Sequence, residues 1–375
     1  MRWTCPYSGL EVGPLAEEGK GGMRVLMAVD RSQRSPYIHF LYRTLAGRGL
    51  SLTRSVDRVH EPPGREDLLH IHWPEALVGW REPGPEEVRR LMASLDAWRS
   101  AGVPLVVTRH NALPHLHRCP EAVELYRGVL ERADGVIHLG RASLQELEGS
   151  VGGLHAVIPH GSLACEERPD RGAARRELGL PAEVFVVLVF GAIRSHAEQR
   201  LLLHTYRKLA ARDTLFVVPR WREATRPSWR KEPLERLRAV LDDRLGRRAF
   251  LEGNGYADDD EARLHFAAAD VVFIPRVEVL NSGVLPEAYG HGRAVVGPLT
   301  GNLTEWLEAT GNPGYIPGDP EDAARALRAA RTLDLDDLGL RNRIFAQEHW
   351  SWERVAADHE AFYREIAQTG QEPSG

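Results

Sequence analysis

Four predicted strands of the first half end in side chains able to carry or exchange protons: Asp30, His72 with Glu75, His110 with Asn111, and His160. The second half offers Gly191, Arg194, Arg220, Glu278 and Glu287 in the same relation to its own strands. The richest stretch is Arg276 to Val296, RVEVLNSGVLPEAYGHGRAVV. There an apolar strand, Val271 to Ile274, feeds a polar loop, a helix and a second strand, Ala294 to Val296. Ser282 is a good N-cap, Gly283 lets a ligand approach the backbone, and Pro286 falls in the first helical turn, where its missing N–H costs little. A helix N-terminus aimed out of the carboxyl end of a strand attracts anions. One turn on, the Glu287 carboxylate can accept hydrogen bonds from vicinal hydroxyls. Phosphate donors beside a hydroxyl acceptor suggest a sugar nucleotide, although the same residues also make an ordinary strand–helix joint with a solvated Glu.

Other chemistries lack their markers. Only His70 and His72 stand close enough to suggest zinc; two apart on a strand, they face the same side of the sheet with no HExxH-type partner. No metal is therefore expected. No GxSxG elbow, Walker phosphate loop or dinucleotide GxGxxG follows the first strand, which weakens hydrolase, ATPase and dehydrogenase readings.

The elements that must position these groups alternate. In the first half, strands at Met23 to Val29, Asp67 to Ile71, Val103 to Val107, Gly135 to His138 and Ala156 to Pro159 are separated by helices. Those helices are expected at Tyr37 to Gly47, Glu86 to Ala101, Glu121 to Ala133 and Ser143 to Glu148. The second half restarts with the apolar strand Val184 to Phe190, followed by a helix from Arg200 to Arg212 and strands at Leu215 to Val218 and Ala249 to Leu251. Helices at Glu235 to Leu245 and Asp259 to Ala269 flank the latter. After Val296 come a helix from Leu303, a short strand at Gly314 to Ile316, a helix from Pro320 to Thr332 and a terminal helix from Ser351 to Ala367. This is an α/β pattern of two Rossmann-like, doubly wound domains whose ligands gather beyond the carboxyl edges of parallel sheets. The expected division is a disordered leader at 1–22, a first domain at 23–165, a linker at 166–182, a second domain at 183–345 and a terminal helix and tail at 346–375.

Composition agrees with such a protein. A chain of 375 residues with 43% hydrophobic residues suits two domains of ordinary size. A net charge of −5 gives no global pull toward nucleic acid. The arginines interleaved with Trp221 and Trp229 between Arg220 and Lys231 leave a local nucleic-acid-binding module as a minor rival. Three scattered cysteines suggest a reducing cytoplasm. No run approaches the roughly 18 apolar residues of a membrane span.

Four stretches resemble GT-B-fold glycosyltransferases of the large group that includes the family-4 enzymes. They are DLLHIHWPE (Asp67 to Glu75), VPLVVTRHNALPH (Val103 to His115), VIPHG (Val157 to Gly161), and the block from Ala268 to Leu307 that holds the NSG loop. The resemblance covers about residues 23 to 365 and implies facing lobes, the second gripping a nucleoside diphosphate sugar and the first holding the acceptor. It implies that Glu287 binds the ribose hydroxyls and that Asn281, Ser282, Gly283 and Val284 lie against the diphosphate and sugar. His110 is similar to the family histidine near the reacting carbon, and Arg194 to the arginine on the departing diphosphate. His72, Glu75 and His160 would stand on the acceptor side. The terminal helix is expected to cross back to the first domain.

Two departures from the family pattern matter. Counting back from Glu287 puts Val279 where a first glutamate is usual, with Glu278 one residue off. In GAIRSHAEQR, Ala192 and Ala197 occupy the positions of a family arginine and lysine, and Arg194 comes two residues late. Losing a cation on a leaving diphosphate in a dry site costs several kcal/mol unless another takes over. Arg194, Arg200, Arg220 and Arg222 are the candidates. The expected reaction moves a hexose from a nucleoside diphosphate sugar to a hydroxyl of a polysaccharide, lipid-linked oligosaccharide or natural product. It needs no bound cofactor or metal and proceeds with retention as the family-level expectation. A catalytically degenerate partner subunit and a non-hydrolysing sugar-nucleotide epimerase remain alternatives. Peripheral contact with the inner membrane face is compatible with the basic amphipathic helices.

Overall fold

Apolar runs of four or five residues, buried on both faces and separated by amphipathic helices, leave the chain little choice but parallel sheets with helices on both sides. The computed structural model describes residues 22–31, 35–114, 119–162, 169–209, 213–219, 250–252 and 259–369. Arg220, Trp221, Arg222, Trp229, the helix expected at Glu235 to Leu245 and most of the expected leader lie outside the described residues.

The described chain forms two compact units, one holding residues 22–161 with 350–369 and the other holding 162–349. In the first, strands β1 (Arg24–Met27), β2 (Ser51–Arg54), β3 (Leu68–Ile71), β4 (Leu105–Arg109), β5 (Gly135–His138) and β6 (Leu154–Val157) form one parallel sheet in the order β2-β1-β3-β4-β5-β6. Its core is built on Leu69, Ile71, Leu91, Leu95, Trp98 and Val107. In the second, β7 (Phe185–Leu188), β8 (Thr214–Val218), β9 (Phe250–Glu252), β10 (Val271–Phe273), β11 (Ala294–Pro298) and β12 (Gly314–Tyr315) pair in the order β12-β11-β10-β7-β8-β9. The strand order reverses at β1/β3 and at β7/β10, and the loops beyond those switch points are where such sheets take ligands.

Strand β2 and one long helix are among the elements that escaped sequence reading. Strand β2, SLTR, is a short polar edge with only Leu52 buried, so it carries no apolar alternation. Helix Leu335–His349 buries Leu338, Gly339, Asn342 and Ala346, a face of small and polar groups. Asn342 earns its buried place by donating to the Arg293 carbonyl at 2.8 Å. The segment expected as a linker contains helix Arg171–Glu177, which packs into the second unit. Arg175 holds it there through an ion pair with Asp270 at 2.7 Å and a hydrogen bond to the Ala268 carbonyl at 3.0 Å.

The terminal helix, Trp352–Thr369, belongs to the first unit, as the family resemblance implied. It buries Trp352, Val355, Ala356, His359, Phe362, Tyr363 and Ile366, one stripe at helical spacing. A Cβ added at Gly135 would meet Phe362 at 2.9 Å and Ile366 at 2.7 Å, so the helix lies directly on β5. No helix among the described residues is long and apolar enough to cross a membrane.

Candidate active site

The second unit presents a cradle at its switch point. Beyond the end of strand β7 stands Gly191, whose φ of +93° is a conformation L side chains rarely adopt. A Cβ built there would lie 3.3 Å from Val284 and 3.6 Å from Arg276 Nη2, so the turn packs against the start of the next helix with backbone alone. Arg276, directly after β10 and only 3% exposed, pairs with Glu198 at 2.6 Å and donates to the Ala192 carbonyl at 3.0 Å. The Glu198 carboxylate also accepts from the Arg194 amide at 2.7 Å. One buried ion pair therefore fastens the whole turn from Ala192 to Arg194.

The Arg194 residue is exposed, yet the protein around its guanidinium, helped by the Arg276 cation, lowers its pKa to about 10. It remains charged at neutral pH. Ala192 and Ala197 are half-buried and supply no charge. Neither Arg276 nor Glu198 was picked out from sequence as a site residue. A signal for Glu198 existed: Ser195 and Glu198 form an S-x-x-E box, with Ser195 Oγ accepting from the Glu198 amide at 3.2 Å. That box starts the helix at His196 instead of Arg200.

The NSG loop differs in one respect from expectation. Helix Val284–Gly290 is capped by Gly283, without a side-chain cap bond, so Ser282 is not the N-cap. Ser282 is instead 8% exposed, and its carbonyl receives the Leu285 amide at 3.4 Å. Asn281 is braced from β11's loop: Asn302 Nδ2 donates to its Oδ1 at 2.6 Å, and the Asn302 amide donates to the Leu280 carbonyl at 2.9 Å. Glu287 is half-buried one turn into the helix, while Glu278 is exposed on the loop before it.

The brace depends on Gly301, at φ +53°, where a Cβ would come within 2.6 Å of both the Val279 and Leu280 carbonyl oxygens. Gly301→Ala must displace that backbone, at a cost of about 2 kcal/mol or more. The expected result is a melting temperature lower by several degrees and weaker nucleotide binding, checked by calorimetry and titration. Unchanged binding would mean the loop takes no part in the site.

In the first unit, the carboxyl ends of β3, β4 and β6 bring His72, His110 and His160 together around Tyr37, the second residue of helix Pro36–Gly47. The Tyr37 ring centroid lies 5.8 Å from His72, 4.9 Å from His110 and 4.8 Å from His160. His110 stacks on Trp73 at 4.4 Å and approaches His72 Nδ1 at 3.4 Å. Behind them, His70 bonds Tyr363 at 2.6 Å and Thr108 at 2.8 Å, and His359 meets the Tyr37 hydroxyl at 3.4 Å. His359 Nδ1 donates to the Val355 carbonyl at 2.7 Å, which leaves its Nε2 to accept from Tyr37. Glu75, 6% exposed, is turned to Tyr126, where burial and the carboxylate together raise the phenol's pKa.

Burial pushes His70 and His72 well below the ordinary imidazole pKa, with neighbouring imidazoles adding to the effect. Burial likewise lowers His160 and His359 to about 4. The unfolded chain then binds protons that the folded chain refuses. Stability is fully present above the unfolded value near 6.5 and is lost as pH falls toward 4, by roughly 3 kcal/mol for fully buried His359 alone. Scanning calorimetry should show the melting temperature dropping steeply between pH 6.5 and 4.5; a flat profile would contradict neutral burial.

No protein-family model matches the chain. It is 28% identical over 353 residues to D-inositol 3-phosphate glycosyltransferase 2 of Catenulispora acidiphila, covering 86% of this chain and 76% of the relative. The D-inositol 3-phosphate glycosyltransferase of Corynebacterium efficiens is 26% identical over 326 residues, covering 80% of this chain and 71% of the relative. Among solved structures, sucrose-phosphate synthase from Thermosynechococcus elongatus superposes with a TM-score of 0.70 at 17% identity, over 93% of this chain and all of the other. Anabaena Alr3699/HepE, solved with UDP-glucose, gives 0.63 at 18% identity over 92% of this chain and 99% of its own.

Proposed function

We propose that this chain, a glycosyltransferase of the GT-B fold, moves a hexose from a nucleoside diphosphate sugar to a hydroxyl acceptor. The observation that carries the reading is the close approach of the Gly191 turn to the Val284 side chain at the start of helix Val284–Gly290, with the Arg276 guanidinium beside it and Glu287 one turn further on. A nucleoside diphosphate suits that combination: amides and a cation at a turn that brings no side chain of its own, and a carboxylate on the helix that follows. The UDP and UDP-glucose held by the HepE structures support a uridine nucleotide as the first donor to test.

Departure of the diphosphate is assisted by Arg194 and by loop amides in the place a divalent metal would take. Charge developing on the sugar is offset by the donor's own phosphate, with retention of configuration. His110 stands at the reacting carbon, and His72 and His160 line the acceptor side. Were the enzyme to invert, His110 or Glu75 would serve as base. The acceptor is a hydroxyl of a polysaccharide, a lipid-linked oligosaccharide or a natural product, handled in the cytoplasm or at the inner membrane face.

Ala192 and Ala197 favour one second reading, a partner subunit that binds donor without turning it over. Thermal-shift screening against UDP, GDP, ADP and dTDP sugars tests both. At a hundredfold excess over Kd, one of these ligands should add about 2.7 kcal/mol of stability, several degrees in melting temperature. A response to none of them would remove the proposal; binding without release of nucleoside diphosphate in the presence of any acceptor would support the partner subunit.

A further inference from the structure

Taking the nucleotide-sugar reading as given, we propose that Arg276 is the cation that grips the donor's diphosphate, replacing from strand β10 the charges that Ala192 and Ala197 do not supply from the β7 turn. Arg276 and Gly191 follow strands that pair directly, Val271 with Val187 and Val272 with Leu188, at the point where the sheet order reverses. That is the crevice in which such sheets hold phosphates. Both hydrogen bonds that the Arg276 side chain donates among the described residues use Nη1, to Glu198 and to the Ala192 carbonyl. Its Nε is buried and has no hydrogen-bond partner among the described residues. Its Nη2 lies 3.6 Å from the Cβ position that Gly191 lacks, a point Val284 Cγ2 approaches to 3.3 Å. A guanidinium that leaves donors unspent beside a left-handed glycine presents half of a fork to that space, and phosphate oxygens match a fork's geometry.

Glu198 sets the orientation. Its carboxylate binds Nη1 and the Arg194 amide together, so the free edge of the guanidinium and the Arg194 backbone are held in one frame. Arg276 is thereby a binding residue, Glu198 a positioning residue, and Arg194 the outer of two cations.

The test compares nucleoside diphosphate with monophosphate, because a contact to the terminal phosphate affects their ratio and a merely structural role does not. Affinities of UDP and UMP (or of the base selected by the thermal-shift screen) are measured by titration calorimetry for the parent protein, Arg276→Met and the double variant Arg276→Met/Glu198→Met. The single variant strands a buried carboxylate, which is destabilising in itself, whereas removing both partners of a buried pair is often nearly neutral to folding. The double variant should fold, bind UMP within about threefold of the parent, and lose at least tenfold of its preference for UDP over UMP. A double variant that keeps the full preference overturns the assignment of Arg276 while leaving the nucleotide-sugar reading intact. A double variant that does not fold makes the pair a structural strut and overturns the assignment too. A parent protein that binds neither nucleotide of any base overturns the reading itself.

Discussion

Glu287→Ala is expected to raise KM for the nucleotide sugar about 100-fold while leaving kcat within about threefold of the parent. Each hydrogen bond to a charged acceptor contributes roughly 1.5–3 kcal/mol, and two ribose hydroxyls on one carboxylate approach the upper end of that range together. The ribose does not change between ground and transition state, so the loss is one of uniform binding and leaves turnover alone. Glu287 is only half-buried, one turn into a seven-residue helix, so its removal should scarcely affect folding. Glu287→Gln, which keeps one acceptor and loses the charge, should fall between the two. Initial-rate kinetics with varied donor decide the matter: parent-like KM in both variants would mean that the carboxylate does not touch the nucleotide.

His110→Ala should behave in the opposite way, lowering kcat by 100- to 1,000-fold with donor KM changed less than about fivefold. A group aimed at charge that develops only in the transition state is worth that much in a water-poor site. The ring is held for such a role: stacked on Trp73, met edge-on by Tyr37 at 89°, and 9% exposed. The truncation also removes an aromatic stack worth about 1 kcal/mol, so melting temperature should fall slightly. Single-turnover measurements separate chemistry from product release. A variant with parent-like single-turnover rate would move the reacting centre away from this histidine.

Both predictions concern residues whose places beyond the strands were legible in the linear chain. Glu287 and the NSG loop follow an apolar strand without interruption, so strand, loop and helix are spelled in contiguous residues. His72, His110 and His160 were legible in the same manner, as polar groups standing where buried runs stop. Local pattern also announced the terminal helix, whose buried stripe repeats at helical spacing.

Local pattern failed where packing chose unusual residues. The polar strand β2 is held by its parallel partner β1, and helix Leu335–His349 is held by Asn342 and by a glycine face that lies against Gly292, where a Cβ on Gly339 would meet the carbonyl oxygen at 2.2 Å. Ser282 has the chemistry of a cap, but the chain turns one residue later, and Gly283 takes the position.

The order of strands and helices, the two polar loops and the identity of the groups that end them follow from hydrophobic periodicity, which acts between near neighbours and is written in sequence. Which of those groups meet is a different matter. Arg276 finds Glu198 across 78 residues because β7 and β10 pair, and Tyr363 reaches His70 across 293 because the terminal helix lies over β5. Such encounters depend on burying an apolar face against one particular partner, so only the tertiary structure decided that Arg276 meets Glu198 beside the turn that holds Ala192.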